Sequence, residues 1–201
     1  MKTIPKFLFS LFVFLLAMGT LPEGSLAAQT AAPAQAFALK APIAEKPALL
    51  TSIGQSADVE MVKVLFGRAK IPYALDGAIK PSALAAAKAK TLVLAIGGSS
   101  KGLGAAGISA EAELERTRAL ITEARKLGMK VIGVHVGGEA RRGELSDKFI
   151  AASVPLCDYV IVVAEGNQDK LFDKLCGTKI PLDKVGKIAE AGAPLAAAFI
   201  K

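Results

Sequence analysis

Residues 91–136 read TLVLAIGGSSKGLGAAGISAEAELERTRALITEARKLGMKVIGVHV, and this stretch decides the fold. It opens on the apolar run Thr91 to Ile96. A glycine-rich loop follows, from Gly97 to Ile108. Ser109 then stands where a helix N-cap belongs, and Glu111 and Glu113 fall in the first turn, where the helix dipole favours anions. Leu114, Ile121, Ala124 and Leu127 recur at helical spacing, and Gly128 ends the period. A second apolar run, Lys130 to Val136, closes the unit. Strands without polar alternation are buried on both faces, as in a parallel sheet. Two such strands joined by a helix form a right-handed crossover.

The same alternation extends outward. Upstream, Ala48 to Ile53 reads as a strand and Gly54 as a turn. Ser56 or Asp58 can cap a helix to about Ala69, whose apolar face carries Val59, Val62, Leu65, Phe66 and Ala69. Ile71 to Leu75 is a short strand, and Pro81 opens a brief alanine-rich helix over Ser82 to Lys88. Downstream come a loop from Gly137 to Gly143, a helix from Glu144 to Ser153 and a strand from Tyr159 to Ala164. Asn167 caps a helix to about Cys176, Ile180 and Leu182 suggest an edge segment, and Val185 to Ile200 reads as a helix kinked near Pro194. The expected fold is α/β: a single doubly wound, Rossmann-like parallel sheet of five or six strands flanked by helices. The expected strand order is the flavodoxin-like 2-1-3-4-5.

Composition narrows the function classes. The chain has 201 residues, 25 Lys+Arg against 18 Asp+Glu, and a net charge of +7. A hydrophobic fraction of 52% excludes disorder throughout. Two cysteines and one histidine argue against an all-cysteine zinc site or a multi-histidine centre, so no metal is expected. The basic residues are spread along the chain without interleaved aromatics, which argues against nucleic-acid binding.

Lys2 and Lys6, the apolar run Phe7 to Met18 and the small residues Ser25 and Ala27 describe a secretory signal peptide over residues 1–27. Cleavage is expected after Ala27, with Ala36 as the alternative. Residues 28–46, rich in Ala, Pro and Gln, read as a flexible linker, and 47–201 as the folded domain. A periplasmic or secreted location follows, with no membrane span once the leader is removed.

Open parallel sheets bind ligands at the carboxyl ends of their strands. Ser52, Gln55 and Ser56 follow the first strand; Gly98, Ser99, Ser100 and Lys101 follow the third. His135 and Arg141 follow the fourth, with Arg142 beside them, and Asn167 follows the fifth. Backbone amides of the glycine loop, with Ser99, Ser100 and Lys101, are candidates to cradle a phosphate or carboxylate. Gly98-x3-Gly102-x-Gly104 looks like the glycine motif of short-chain dehydrogenases, but follows the wrong strand and lacks the Tyr-x3-Lys pair. Gly98-x-Ser100-x-Gly102 matches a nucleophile elbow, with His135 as base and Asp147 or Glu165 as orienter, but the helix is expected only from Ser109. The first loop partly resembles a flavodoxin phosphate loop, but Ile53 replaces a hydroxyl residue there, and there is no Trp to stack on flavin. No cofactor is expected. Cys157 and Cys176 should lie on the opposite edge, either as a disulfide or as separate buried thiols.

Taken together, TSIGQSADVEMVKVL, GGSSKGLGAAGI, HVGGEARRGELSDKF and VVAEGNQDKLF resemble a bacterial family known as a domain of unknown function. The resemblance covers about residues 47–200. It implies an exported, Rossmann-like, single-domain protein and carries no catalytic residues. The leading expectation is a binding module for a small anionic molecule. The alternatives are a serine hydrolase using Ser100 and His135, and a protein-interaction module with no small ligand.

Overall fold

The apolar runs pair side by side because neighbouring strands satisfy their backbone N–H and C=O groups while helices cover both apolar faces. In a computed structural model, which describes residues 36–200, they form a single parallel sheet. The strands are β1 (Ala48–Ile53), β2 (Tyr73–Leu75), β3 (Thr91–Ile96), β4 (Lys130–His135), β5 (Tyr159–Val163) and β6 (Leu182–Val185). Their order is β2-β1-β3-β4-β5-β6, as expected for the first five, with β6 added at the edge. Register is set by Ala48 opposite Thr91, Thr91 opposite Lys130, and Ile132 opposite Tyr159.

The period of two along each strand builds two cores. Leu49, Leu92, Leu94, Val131 and Val160 face one side; Leu50, Val93, Ile132, Val134 and Ile161 face the other. The first side is covered by α3 (Ala110–Lys126), α4 (Glu144–Ser153) and α5 (Leu171–Cys176), through Leu120, Phe149 and Phe172. The second is covered by α1 (Asp58–Ala69) and a C-terminal helix, α6 (Gly192–Ala197), through Val62, Phe66 and Leu195.

Several elements differ from the sequence expectation. The glycine-rich stretch is not all loop: α2 occupies Ser100–Ala105. Its glycines have low helix propensity, so periodicity hides it. Ser99 caps it, accepting the Gly102 N–H at 3.0 Å, and Gly102 lets it abut the first loop. A Cβ on Gly102 would lie 1.9 Å from the Gln55 carbonyl oxygen. The brief helix after Pro81 is two 3-10 turns, Pro81–Ala83 and Ala85–Ala87. Val185 belongs to β6, not to the final helix. It is buried and pairs with Val163. Pro194 stands in the first turn of α6, where its missing N–H has no partner to lose, so it opens that helix instead of kinking a longer one.

The expected leader, 1–27, and the linker as far as Gln35 lie outside the described residues. The rest of the expected linker is not a free tether. Ile43 and Ala44 both donate N–H to the Ala198 carbonyl at 2.9 Å, and Ile200 N–H returns to the Ala44 carbonyl at 2.9 Å. The Glu45 N–H donates to Thr91 Oγ1, and the Ala38 N–H to the Asp183 carboxylate, both at 3.1 Å. Ala44 is wholly buried. Small Ala and Pro side chains let this segment lie close on the domain, where backbone bonds rather than periodicity order it.

Candidate functional site

Four loops meet at the carboxyl ends of the strands. The first is anchored by a buried ion pair. Glu113 in α3 has no exposed surface and pairs with Arg116, whose Nε lies 2.7 Å from Oε2. The Gly54 N–H and the Gln55 side-chain amide donate to Glu113 Oε1 at 2.9 and 3.1 Å. Arg116 also donates to the carbonyls of Ser52 and Ile79. Glu113 reads from sequence only as a favourable first-turn charge; its placement under Gly54 comes from the tertiary fold. Gln55 adopts a left-handed conformation, φ 55°, and bridges Gly98.

Ser52 and Ser56 are buried in the same loop. Ser52 donates its hydroxyl to the Ser56 carbonyl, and Ser56 Oγ accepts the Asp58 N–H. Both hydroxyls hold the loop beneath the surface. The sequence offers Asp58 only as a possible helix cap. It is 1% exposed, and its Oδ1 accepts Arg141 Nε at 3.2 Å. Its Oδ2 is buried with no hydrogen-bond partner among the described residues. That oxygen lies over the backbone of Gly97 and Gly137, where added Cβ atoms would come within 3.0 and 2.6 Å of it.

His135 is fully buried at the end of β4. Its Nδ1 lies 2.9 Å from the Ile96 carbonyl and its Nε2 3.4 Å from that of Gly138. The shorter contact favours the tautomer with the proton on Nδ1. Burial holds the imidazole pKa below its ordinary value, against the raising effect of the two carbonyls. Both ring nitrogens face backbone carbonyls, and no hydrogen bond joins His135 to Ser100 among the described residues.

Above these buried groups a cavity of about 380 Å³ opens between α2 and the loop into α4. Of the expected ligand residues, Gly98, Ser99, Ser100, Lys101 and Arg141 line it, together with Ser146, which sequence reasoning missed. Ser52, Gln55, Ser56, His135 and Asn167 do not line it. Arg141 uses one guanidinium nitrogen on Asp58, and its side chain remains 40% exposed. Its Nη atoms have no protein acceptor among the described residues.

Of the amides expected to cradle an anion, those of Ser100 and Lys101 have no protein acceptor among the described residues, and their neighbours are engaged. Gly97 N–H donates to the Ile53 carbonyl, Gly98 N–H to Ser146 Oγ, and Ser99 N–H to the Gly54 carbonyl. Gly102 and Leu103 donate to the side chain and carbonyl of Ser99. These amides close the joints between loops and cap α2, because buried N–H groups must find partners and the neighbouring loops supply them.

The family described as a domain of unknown function (DUF6305) matches residues 45–199. The chain belongs to that family. No curated protein matches the chain. The DUF6305 match takes in every strand and the whole cavity, together with the last turn of the N-terminal segment that pairs with Thr91.

Two further pieces of the DUF6305 domain support the rim. Arg142 is held by both oxygens of Asp147, at 2.7 and 3.2 Å, and by both of Asp169, at 3.0 and 2.8 Å. It also donates to the Gly166 carbonyl and lies over the Phe172 ring. Its hydrogen bond to Asp169 pulls that carboxyl down to about 2. Arg142 therefore ties the fourth and fifth loops together and has no free edge for a ligand. Asn167, expected on the rim, is buried; its Oδ1 accepts the Phe172 N–H at 2.9 Å and its amide donates to Asp173 at 2.6 Å. It reaches the first turn of α5 from the end of a short 3-10 turn, Ala164–Asn167, with Lys170 standing between at the cap position. Cys157 and Cys176 are free buried thiols in the core, and burial raises the pKa of both.

Proposed function

We propose that this protein is a binding module that captures a small anion in the cleft between α2 and the α4 loop. The carrying observation is Arg141. Its Nε is fixed by a buried carboxylate, while its Nη edge is left to a cavity that Lys101 also lines. A pinned, half-exposed guanidinium is a ready anion receptor. The volume, about 380 Å³, falls in the range of small-molecule sites. His135, wedged between carbonyls, speaks for binding rather than hydrolysis.

A thermal-shift panel of carboxylates, phosphate, sugar phosphates and nucleotides tests this. A ligand at a hundred times its dissociation constant raises the melting point by about 5–10 °C. Arg141→Ala removes that shift, read against the variant's own unliganded melting point, which falls because the buried Asp58 carboxylate loses its partner. A flat panel on folded protein overturns the anion reading in favour of a protein partner.

We further propose that the protein is exported. The support is the charged, apolar and small-residue pattern of residues 1–27, and no helix among the described residues is long and apolar enough to cross a membrane. Fractionation with N-terminal sequencing is expected to find a mature chain starting at Ala28. An intact Met1 in the cytosolic fraction overturns export.

A further inference from the structure

Anions are usually held by backbone N–H groups, by cationic side chains, or by both, and the two means select different chemistry. Tetrahedral phosphates sit in nests of several amides or on the N-terminus of a helix. A guanidinium offering two parallel N–H groups satisfies both oxygens of a carboxylate, but only two of the three terminal oxygens of a phosphate, which needs further donors for the third. In this cleft most of the nest is closed. Gly97, Gly98, Ser99, Gly102 and Leu103 donate their N–H groups within the protein, and of the loop's amides only those of Ser100 and Lys101, on the six-residue α2, keep no protein acceptor among the described residues. Two amides are short of a phosphate nest, so recognition falls chiefly to side chains.

Two cations serve it from different walls. Arg141 stands on the fourth loop and Lys101 on α2. Arg142, also in the lining, is engaged by Asp147 and Asp169 and contributes no free edge. The one acid of the lining, Glu144, is paired with Lys148 at 2.9 Å. Asp58 sets how Arg141 presents itself. A bidentate pair would occupy Nε and one Nη. Asp58 instead holds Nε alone, and its second oxygen lies over Gly97 and Gly137 without a partner. Neither Nη has a protein acceptor among the described residues, and Arg141 lines the cavity, so the fork is available to a ligand there.

We propose that the ligand is a small carboxylic acid, and that dicarboxylates bind tightest, with the Arg141 fork on one carboxylate and the Lys101 ammonium on the other. Asp58 is the positioning residue for Arg141. The proposal rests on the anion-binding function above and names its ligand class.

Titration calorimetry of the purified protein with acetate, succinate, glutarate and inorganic phosphate tests it. Succinate or glutarate is expected to bind tightest, acetate more weakly, and phosphate more weakly than the diacids. Arg141→Lys keeps the charge but loses the fork, and weakens the preferred diacid by about tenfold or more. Lys101→Ala brings the diacid down to the level of acetate. Asp58→Asn narrows the ratio of diacid to phosphate affinity, a readout that lost stability alone does not move. Phosphate binding as tight as the diacids, or an Arg141→Lys variant equal to the parent, overturns the carboxylate assignment and leaves anion binding standing. No binding of any of the four anions overturns both.

Discussion

Glu113 is the residue on which the first loop hangs. A buried carboxylate is tolerated only when its partners are in place, and it has three: Arg116, the Gly54 N–H and the Gln55 amide. Glu113→Gln leaves Arg116 facing the interior without its counter-charge. Loss of one member of a buried pair costs about 3–5 kcal/mol, so urea denaturation is expected to show a fall of that order. His135 sets the response to acid. It is the single histidine of the chain, so titration between pH 5 and 7 is largely its own. Its folded pKa is depressed by burial, and the unfolded chain therefore takes up the proton first. Stability is complete above the ordinary histidine value near pH 6.5 and falls as the pH drops towards the folded value, by at most about 1.4 kcal/mol per pH unit. Thermal unfolding across pH 5–8 measures that slope, and His135→Asn removes it.

At the scale of elements, α2 shows how a contact outweighs propensity. Gly102 packs against the Gln55 carbonyl, whereas Gly104 in the same helix has open space around its α-carbon. Gly102→Ala forces α2 off the first loop and is expected to cost about 1–3 kcal/mol, as overpacking does. Gly104→Ala meets nothing and gains helix propensity, so it is expected to be neutral or stabilising by up to about 1 kcal/mol. Equal melting points for the two variants would falsify the close approach of α2 to the first loop. Strands and long helices were legible because burial imposes a period on their side chains. Helix α2 and the split of the C-terminal segment at Gly186 were not, because neither is long enough to show one.

Across the whole molecule, the chain before β1 acts as a strap. It bonds to the C-terminal segment through Ala44 and Ala198, to β3 through Glu45 and Thr91, and to β6 through Ala38 and Asp183. Asp183 also accepts the Tyr159 hydroxyl, whose pKa burial and that carboxylate both push up. Each backbone bond contributes about 1 kcal/mol net, less the entropy of ordering the segment. Deleting residues 1–46 is therefore expected to lower the melting point by several degrees relative to a chain that begins at Ala28. An unchanged melting point would return this segment to the status of a free linker.

Sequence by itself determined the sheet, its parallel sense and the first five positions of its order. Strands such as TLVLAI and YVIVVA, apolar on both faces, have few other ways to be buried. It also placed Gly98, Ser99, Ser100, Lys101 and Arg141 at one edge, because parallel strands must all end there. Only the tertiary structure decided which of those polar groups remain free. Ser52, Ser56, His135 and Asn167 stand at the same strand ends in sequence, yet each is buried: the two serines and Asn167 in hydrogen bonds within their own loops, and His135 against the Ile96 carbonyl at the end of β3. The amides of Gly97, Gly98 and Ser99 are engaged by Ile53, Ser146 and Gly54 on other loops. The acceptors of those amides lie tens of residues away along the chain, so no local pattern reveals whether such a donor faces a neighbouring loop or the cavity.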